Sequence, residues 1–134
     1  MAALTADRNT HFKNPLLISV PLAANVKIFA GSLVAANAAG LATPGAAATT
    51  LTYLGRAEEQ IDNTGGAASA KSVMVRRGEA FKFANLAADP VVQASLGKAC
   101  YIADDQTVAL TNGGATRSAA GIVLGVEADG VWVL

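Results

Sequence analysis

The sequence predicts a mainly β protein, a small β-barrel or β-sandwich domain with one short helix and an extended N-terminal arm. Short runs of β-branched and aromatic residues alternate with turn residues about every eight to twelve positions, which is typical of small all-β domains. Only one short segment has the features of a helix. The last 14 residues also form two β-prone runs around Asp129-Gly130. This pair favours a two-residue hairpin turn, because glycine accepts the positive φ that such turns require.

The length and composition favour a single domain with a thin core. The chain has 134 residues, of which 52% are hydrophobic but only 5% are aromatic. Alanine therefore supplies much of the apolar content, and large core side chains are few. We predict an extended arm at residues 1–15 and a single β-rich domain at residues 16–134. A thin core also favours stabilisation by self-association.

The first strand follows the arm. Residues 1–14 are mostly polar and have neither a helical nor a strand period. Pro15 disfavours helix at Asn14, and Pro21 interrupts the apolar run at residues 16–20. We therefore expect this run to be an edge strand or the start of the domain.

Further strands follow in order, and two of them are expected to form a second hairpin. The runs at 71–77 and 81–83 are separated by Gly78, and alternation places Val73 and Val75 on one face of the first run. The other predicted strands lie at residues 26–30, 51–56, 98–102 and 107–110.

The one predicted helix covers about residues 89–96. Asp89 can cap its N-terminus, Pro90 fits the first helical position, and Gly97 can end it. We expect one or two turns.

The balanced charge of the chain makes nucleic acids and anionic membranes unexpected as partners. Ten basic and ten acidic residues give a formal net charge of zero. Nucleic-acid and anionic membrane surfaces attract basic clusters, so neither is expected as a partner. We also see no signal peptide or apolar stretch that could span a bilayer, and the single cysteine excludes an internal disulfide. We expect a protein made in the cytosol with protein partners.

Few residues offer chemistry. Cys100 lies in an apolar strand pattern, where cysteine usually packs as a small hydrophobe, and the only histidine, His11, lies in the arm. Asp104 and Asp105 are adjacent and are expected to form a turn. The Asp62 region lacks the spacing of a calcium loop, so an Asx turn is expected there. We therefore expect no catalytic residue, metal, cofactor or small-molecule ligand.

Several stretches, taken in order, carry a resemblance to one family. They are residues 4–10 (LTADRNT), 28–31 (IFAG), 53–58 (YLGRAE), 75–78 (VRRG), 96–97 (LG), Tyr101, 104–105 (DD), 107–108 (TV), 117–121 (RSAAG) and 129–133 (DGVWV). With these stretches the chain is similar to the capsid cement, or head decoration, proteins of tailed bacteriophages and prophages. The resemblance implies a β-rich protein of the virion that binds the outside of the assembled capsid. It also implies a homotrimer near local threefold axes that reinforces the seams between major capsid proteins.

A capsid clamp needs contact residues rather than a pocket. A loose polar arm can order against a neighbouring chain or a sheet edge. Tryptophan near the end of the chain is either a core side chain or an interface anchor. The candidate residues for contact with the capsid or a sister subunit are Asp7, Arg8, His11, Phe12, Lys13 and Trp132.

Three alternatives stay open. The chain could be a structural virion protein elsewhere, in a head fibre or the tail. It could belong to another class, a Cys-dependent hydrolase that uses Cys100 and His11. The third is a carbohydrate-binding β-module, although such surfaces usually present several exposed aromatic side chains and this chain has few.

Overall fold

The computed structural model describes residues 2–134 and is mainly β, as the sequence predicts. Met1, the first residue of the predicted arm, lies outside the described residues. One turn of 3-10 helix, Gln93–Ser95, accompanies the strands. In chain order the strands are β1 (Leu17–Pro21), β2 (Lys27–Ile28), β3 (Leu33–Ala36), β4 (Ala42–Pro44), β5 (Thr52–Ala57), β6 (Ile61–Asp62), β7 (Ser72–Arg76), β8 (Phe81–Asn85), β9 (Ala99–Ile102), β10 (Thr107–Ala109), β11 (Ala119–Glu127) and β12 (Gly130–Val133).

The strands form an open sheet, a closed barrel and a short ribbon. The open sheet is antiparallel with the order β1-β7-β5-β3-β4, and the barrel has the order β10-β8-β12-β11-β9. Strands β2 and β6 pair as the ribbon. The position of β1 at the sheet edge confirms the predicted edge strand. Pro21 is tolerated there because an edge strand has one side without ladder partners.

Buried apolar side chains form two clusters rather than the single core expected. Val34 on β3 belongs to the cluster that lies against the open sheet, with Val73 and Val75. Its neighbours Leu33 and Ala35 belong to the other cluster, which fills the barrel. Because successive strand side chains point to opposite faces, β3 is buried on both sides. It therefore joins the sheet to the barrel.

The predicted hairpin between residues 71–77 and 81–83 is wrong. Strand β7 pairs with β1 and β5 in the open sheet, whereas β8 pairs with β12 and β10 in the barrel. Gly78, with φ +75°, lies in the connection that carries the chain from one to the other. Val73 and Val75 do share a buried face, as predicted. Alternation identifies a face but does not select the strand with which it pairs.

The predicted helix at 89–96 is reduced to the 3-10 turn Gln93–Ser95. Val92, which precedes it, is extended and offers no side-chain cap. The physical reason lies in Asn85, whose side-chain amide accepts from the Val91 nitrogen (2.8 Å) and donates to the Val91 oxygen (2.9 Å). These bonds satisfy the Val91 backbone outside any helix. Among residues 2–134, no helix has the length and apolar character needed to cross a membrane.

The closing hairpin is confirmed, but its turn lies one residue earlier than expected. Glu127 pairs with Gly130, so the turn residues are Ala128 and Asp129. The backbone of Gly130 does not have a positive φ. Instead, a Cβ there would lie 2.7 Å from Cγ of Lys82 and 2.8 Å from the oxygen of Phe83. Glycine is therefore needed for close approach to β8.

Candidate interaction surfaces

The arm extends from the domain with its side chains exposed. Residues 2–14 have no helix or strand and every one is exposed. Phe12 is 98% exposed and Leu4 is 72% exposed. The candidate contact residues of the arm, none of which enters an ion pair of residues 2–134, are Asp7, Arg8, His11, Phe12 and Lys13.

A short turn fixes the base of the arm. The Asn14 side chain accepts a hydrogen bond from the Leu16 nitrogen (3.0 Å), and the Leu16 oxygen accepts from the Arg77 nitrogen (2.8 Å). A Cβ on Gly78 would overlap the Leu16 side chain. The arm therefore leaves the domain at the free edge of the open sheet, and its first anchored residue is Leu16.

Trp132 lies on the outer surface of the barrel and is not a core residue. Its neighbours Val131 and Val133 are fully buried, whereas Trp132 is half-buried. The indole Nε1 donates to Glu127 Oε1 (2.8 Å), and the Lys82 ammonium lies 5.6 Å from the centre of its rings. These two contacts hold the indole in place, and its half-buried position leaves a face accessible to a partner. Lys82 also bonds to Asp129, and this hydrogen bond raises the pKa of Lys82.

An exposed apolar surface borders this tryptophan. We call it the barrel patch, and its members are between 39% and 51% exposed. Monomeric soluble proteins rarely expose contiguous apolar patches larger than a few hundred Å², and larger ones mark interaction sites. The barrel patch consists of Val92, Leu96, Ile122, Leu124 and Leu134.

Backbone hydrogen bonds bring the barrel patch together. Ile122 and Leu134 exchange two bonds of 2.9 Å each, so their side chains lie side by side. Leu124 follows buried Val123 and is exposed like Ile122, at the point where the register between β11 and β12 shifts. Gly97 donates to the Val123 oxygen (2.8 Å), which holds the 3-10 turn and Leu96 beside that strand. Ile122 and Leu124 therefore lie on β11, with Leu134 directly after β12 and Leu96 directly after the 3-10 turn.

A polar network anchors the loop that leads into β11. Asp89 Oδ2 accepts from the Thr111 hydroxyl (2.6 Å) and from Arg117 Nη1 (2.9 Å). The hydrogen bond from Thr111, supported by the Arg117 charge, lowers the pKa of Asp89. The prediction that Asp89 caps a helix is therefore wrong, because its carboxylate bonds to Thr111 and Arg117 instead. It holds the loop 111–117 against the segment before the 3-10 turn.

This network predicts an acid-sensitive contribution to stability. The folded-state pKa of Asp89 is lowered, so its contribution is complete above the unfolded-state pKa and is lost as pH falls through the folded-state value. Thermal unfolding should show a smaller loss of stability for Asp89→Asn than for wild type between about pH 4 and about pH 2. Other carboxyls with lowered pKa values, such as Glu58 and Asp62, remain in both proteins. Parallel curves for the two proteins would contradict the assignment.

Cys100 and His11 are not brought together. Cys100 is 1% exposed inside the barrel, where burial raises the pKa of its thiol to about 11. Its Sγ lies 3.5 Å from the Gly121 oxygen. His11 lies on the exposed arm. The thiol therefore packs as the strand pattern predicts, and it is protonated near neutral pH.

The predicted turns have the expected chemistry. Asp62 Oδ1 accepts from the Thr64 nitrogen (2.9 Å), and Asp104 Oδ1 accepts from the Gln106 nitrogen (2.9 Å). Both arrangements are Asx turns. Within residues 2–134, no three histidine, cysteine, aspartate or glutamate side chains are grouped so that they could hold a metal ion.

The barrel patch is the surface that the sequence did not predict. Ile122 and Leu124 flank Val123 in the sequence, which is consistent with a shared face, but the register of β11 with β12 shifts between Val123 and Gly125 and only the structure shows this irregularity. Alternation alone does not tell which face a neighbouring strand or sheet covers. Only the closure of the barrel puts Val123 inside and the two larger residues outside.

Comparison of the chain with known protein families, with curated proteins and with solved structures finds no match.

Proposed function

We propose that this chain is a structural protein of a tailed-phage virion, a cement or decoration protein that binds the outside of the assembled capsid and stabilises it. The observation that carries the proposal is the ordered set of stretches from residues 4–10 to 129–133 that resembles this family. Its partners are the major capsid protein and sister copies in a homotrimer. Many equivalent copies on a closed shell convert modest single-site affinity into strong reinforcement.

The arm is the surface that we assign to the capsid. Exposed Leu4 and Phe12 are apolar side chains that gain free energy when a partner covers them. Arg8 and Lys13 add positive charge nearby. An unpaired extended segment can also add a strand to a neighbouring sheet.

The barrel patch is the surface that we assign to the trimer. It contains no charged residue, and stable subunit interfaces are apolar at their centres. Trp132 lies at the margin of this patch, where Lys82 and Glu127 supply a polar rim. This division gives each candidate contact residue a role, with the arm residues at the capsid and Trp132 at the subunit interface.

Capsid binding can be measured by sedimentation. The purified chain, mixed at micromolar concentration with capsids that lack it, should sediment with them. Deletion of residues 2–14 should weaken binding by about tenfold or more, because the exposed apolar contacts are lost. Thermal unfolding of the deletion variant should match wild type, since these residues are exposed.

Two results would contradict these assignments. If the full chain stays in the supernatant, the cement role is wrong; if the deletion variant binds like wild type, the arm is not the capsid contact. Electron microscopy of virions with an antibody to the chain separates the alternatives, because labelling confined to the tail or to head fibres would place the protein there instead.

A further inference from the structure

The open sheet and the barrel are built from the same arrangement of five strands. In the barrel, β8 pairs with β12 in antiparallel orientation and with β10 in parallel orientation. In the open sheet, β1 pairs with β7 in antiparallel orientation, and Leu22 directly after β1 forms a parallel bridge with Ala42 of β4. The remaining pairs, β4-β3-β5-β7 in one and β10-β9-β11-β12 in the other, are all antiparallel. We call the strands β1, β3, β4, β5 and β7 the first unit, and β8–β12 the second unit.

Backbone hydrogen bonds repeat from one unit to the other. In the first unit the Gly31 nitrogen donates to the Ala57 oxygen (2.8 Å). In the second unit the Gly97 nitrogen donates to the Val123 oxygen (2.8 Å). The return bonds, from the Ala57 and Val123 nitrogens to the residue after each glycine, measure 2.9 Å, and both glycines have a positive φ, +83° and +79°. Because the two partners are equally far apart along the chain in both units, the units share one register.

The fourth strand of each unit, β5 or β11, carries the same irregularity. Its register with the second strand shifts beside Gly55 in the first unit and beside Gly121 in the second. A Cβ on Gly55 would overlap the Arg76 carbonyl oxygen, and a Cβ on Gly121 would overlap the Leu134 carbonyl oxygen. The spacing between these two glycines equals the spacing between the hydrogen-bonded counterparts above. Within residues 2–134 no strand of one unit pairs with a strand of the other, so each unit completes its own strand pairing.

The same spacing shows which residues of the first unit correspond to the barrel patch. Ala57 and Val123 are counterparts, and both are buried. Three positions around this pair lie on the outer surface and differ in character between the units. These counterparts are Arg56 and Ile122, Glu58 and Leu124, and Arg76 and Leu134. Charged residues of the first unit therefore correspond to aliphatic members of the barrel patch in the second.

The three charged residues of the first unit form an ion-pair network. Glu58 Oε1 accepts hydrogen bonds from Arg56 Nη2 and from Arg76 Nε (3.0 Å), and these bonds lower the pKa of Glu58. The three side chains are between 26% and 39% exposed, so water still reaches them. Removal of water from charged groups is costly, so this face resists burial against an apolar surface.

We propose that the two units are diverged copies of one β unit, and that the Arg56–Glu58–Arg76 network keeps the first unit from self-association, so that each chain presents this face in apolar form only on its second unit. The proposal rests on the assignment of the barrel patch to the subunit interface. A chain with an apolar face on both units can bind a further copy at each of them, and growth of the assembly then does not stop at a closed oligomer. The network removes that route to growth.

The mass of full-length variants in solution tests the role of the network. Arg56→Ile, Glu58→Leu and Arg76→Leu together give the first unit the residues of the second. This first-unit variant should form assemblies of at least double the wild-type mass at micromolar concentration, because it gains a second apolar face. Glutamine at the same three positions removes the charges without adding apolar surface and should keep the wild-type mass. Sedimentation velocity measures the mass, with circular dichroism as the check on folding.

A reciprocal variant tests the second unit. Ile122→Arg, Leu124→Glu and Leu134→Arg together place the charged residues on the second unit, so this variant should be folded and monomeric. If the first-unit variant does not fold, the double variant Arg56→Ile with Glu58→Leu takes its place and should change the mass in the same direction.

The outcomes separate the proposal from the interface on which it rests. A first-unit variant with the wild-type mass overturns the role of the network, and so does a glutamine variant that forms the same larger assemblies. A reciprocal variant that keeps the wild-type mass overturns the subunit interface at the barrel patch. A monomeric wild type beside a self-associating first-unit variant would support the network and overturn the trimer in solution. None of these measurements involves capsids, so they do not depend on the test of capsid binding.

Discussion

Replacement of Gly55 by alanine should destabilise the domain by about 2–4 kcal/mol, which lowers the midpoint of thermal unfolding by about 10 °C. Gly55 lies in β5 with φ +149°, a conformation that residues with side chains rarely adopt. A Cβ there would overlap the carbonyl oxygen of Arg76 on the neighbouring strand β7. Because that oxygen belongs to the backbone of a central strand, it cannot move aside without disrupting the open sheet.

Gly40→Ala is the matched control for this prediction. Gly40 also has a positive φ, +78°, but a Cβ there would meet nothing within 4 Å. Gly40→Ala should therefore destabilise the domain by only about 1–2 kcal/mol, which is the cost of the positive-φ backbone conformation alone. Equal losses of stability in the two variants would show that overlap with Arg76 is not the main cost.

If the barrel patch forms the proposed trimer interface, Leu124→Glu should convert that trimer to monomers at micromolar concentration while the domain stays folded. Leu124 is 48% exposed in the barrel patch, so glutamate is tolerated by the free chain. In a closed interface the carboxylate would be desolvated without a partner. We expect a loss of about 2 kcal/mol per interface, or about 30-fold in affinity. Mass measurement in solution, with circular dichroism as the check on folding, tests this prediction.

Phe29→Glu supplies the comparison, because Phe29 is 52% exposed but lies in the turn 29–32 that follows β2, outside the barrel patch. It should leave the mass of the assembly unchanged. A trimer that persists in Leu124→Glu would remove the barrel patch from the subunit interface. A wild-type chain that is monomeric in solution would leave only assembly on the capsid itself, and the two variants should then be compared by sedimentation with capsids.

The elements that local chemistry controls were predictable. Pro21 marked β1 as an edge strand, and Asp62 and Asp104 form the expected turns. The Asp129-Gly130 pair correctly predicted a hairpin, although the reason for the glycine is the packing of β8 and not the turn. In each case the signal lies within a few residues of the structure that it specifies.

The errors concern contacts between distant parts of the chain. The helix predicted from Asp89 and Pro90 fails because Asn85 holds Val91 and because Asp89 binds a loop more than twenty residues away. The pairing of β7 with β8 fails because the two strands bury their apolar faces in different clusters. These long-range contacts cannot be recognised from the hydrophobic pattern of the neighbouring residues.

By itself the sequence determined a β-rich chain with an exposed polar arm, a buried thiol at Cys100 and short turns at known places, since all of these follow from propensity and alternation. The tertiary structure decided which strands close into a barrel, and with it which face of β11 is covered. That choice rests on long-range packing, which puts Val123 inside and leaves Ile122 and Leu124 outside as part of the exposed barrel patch.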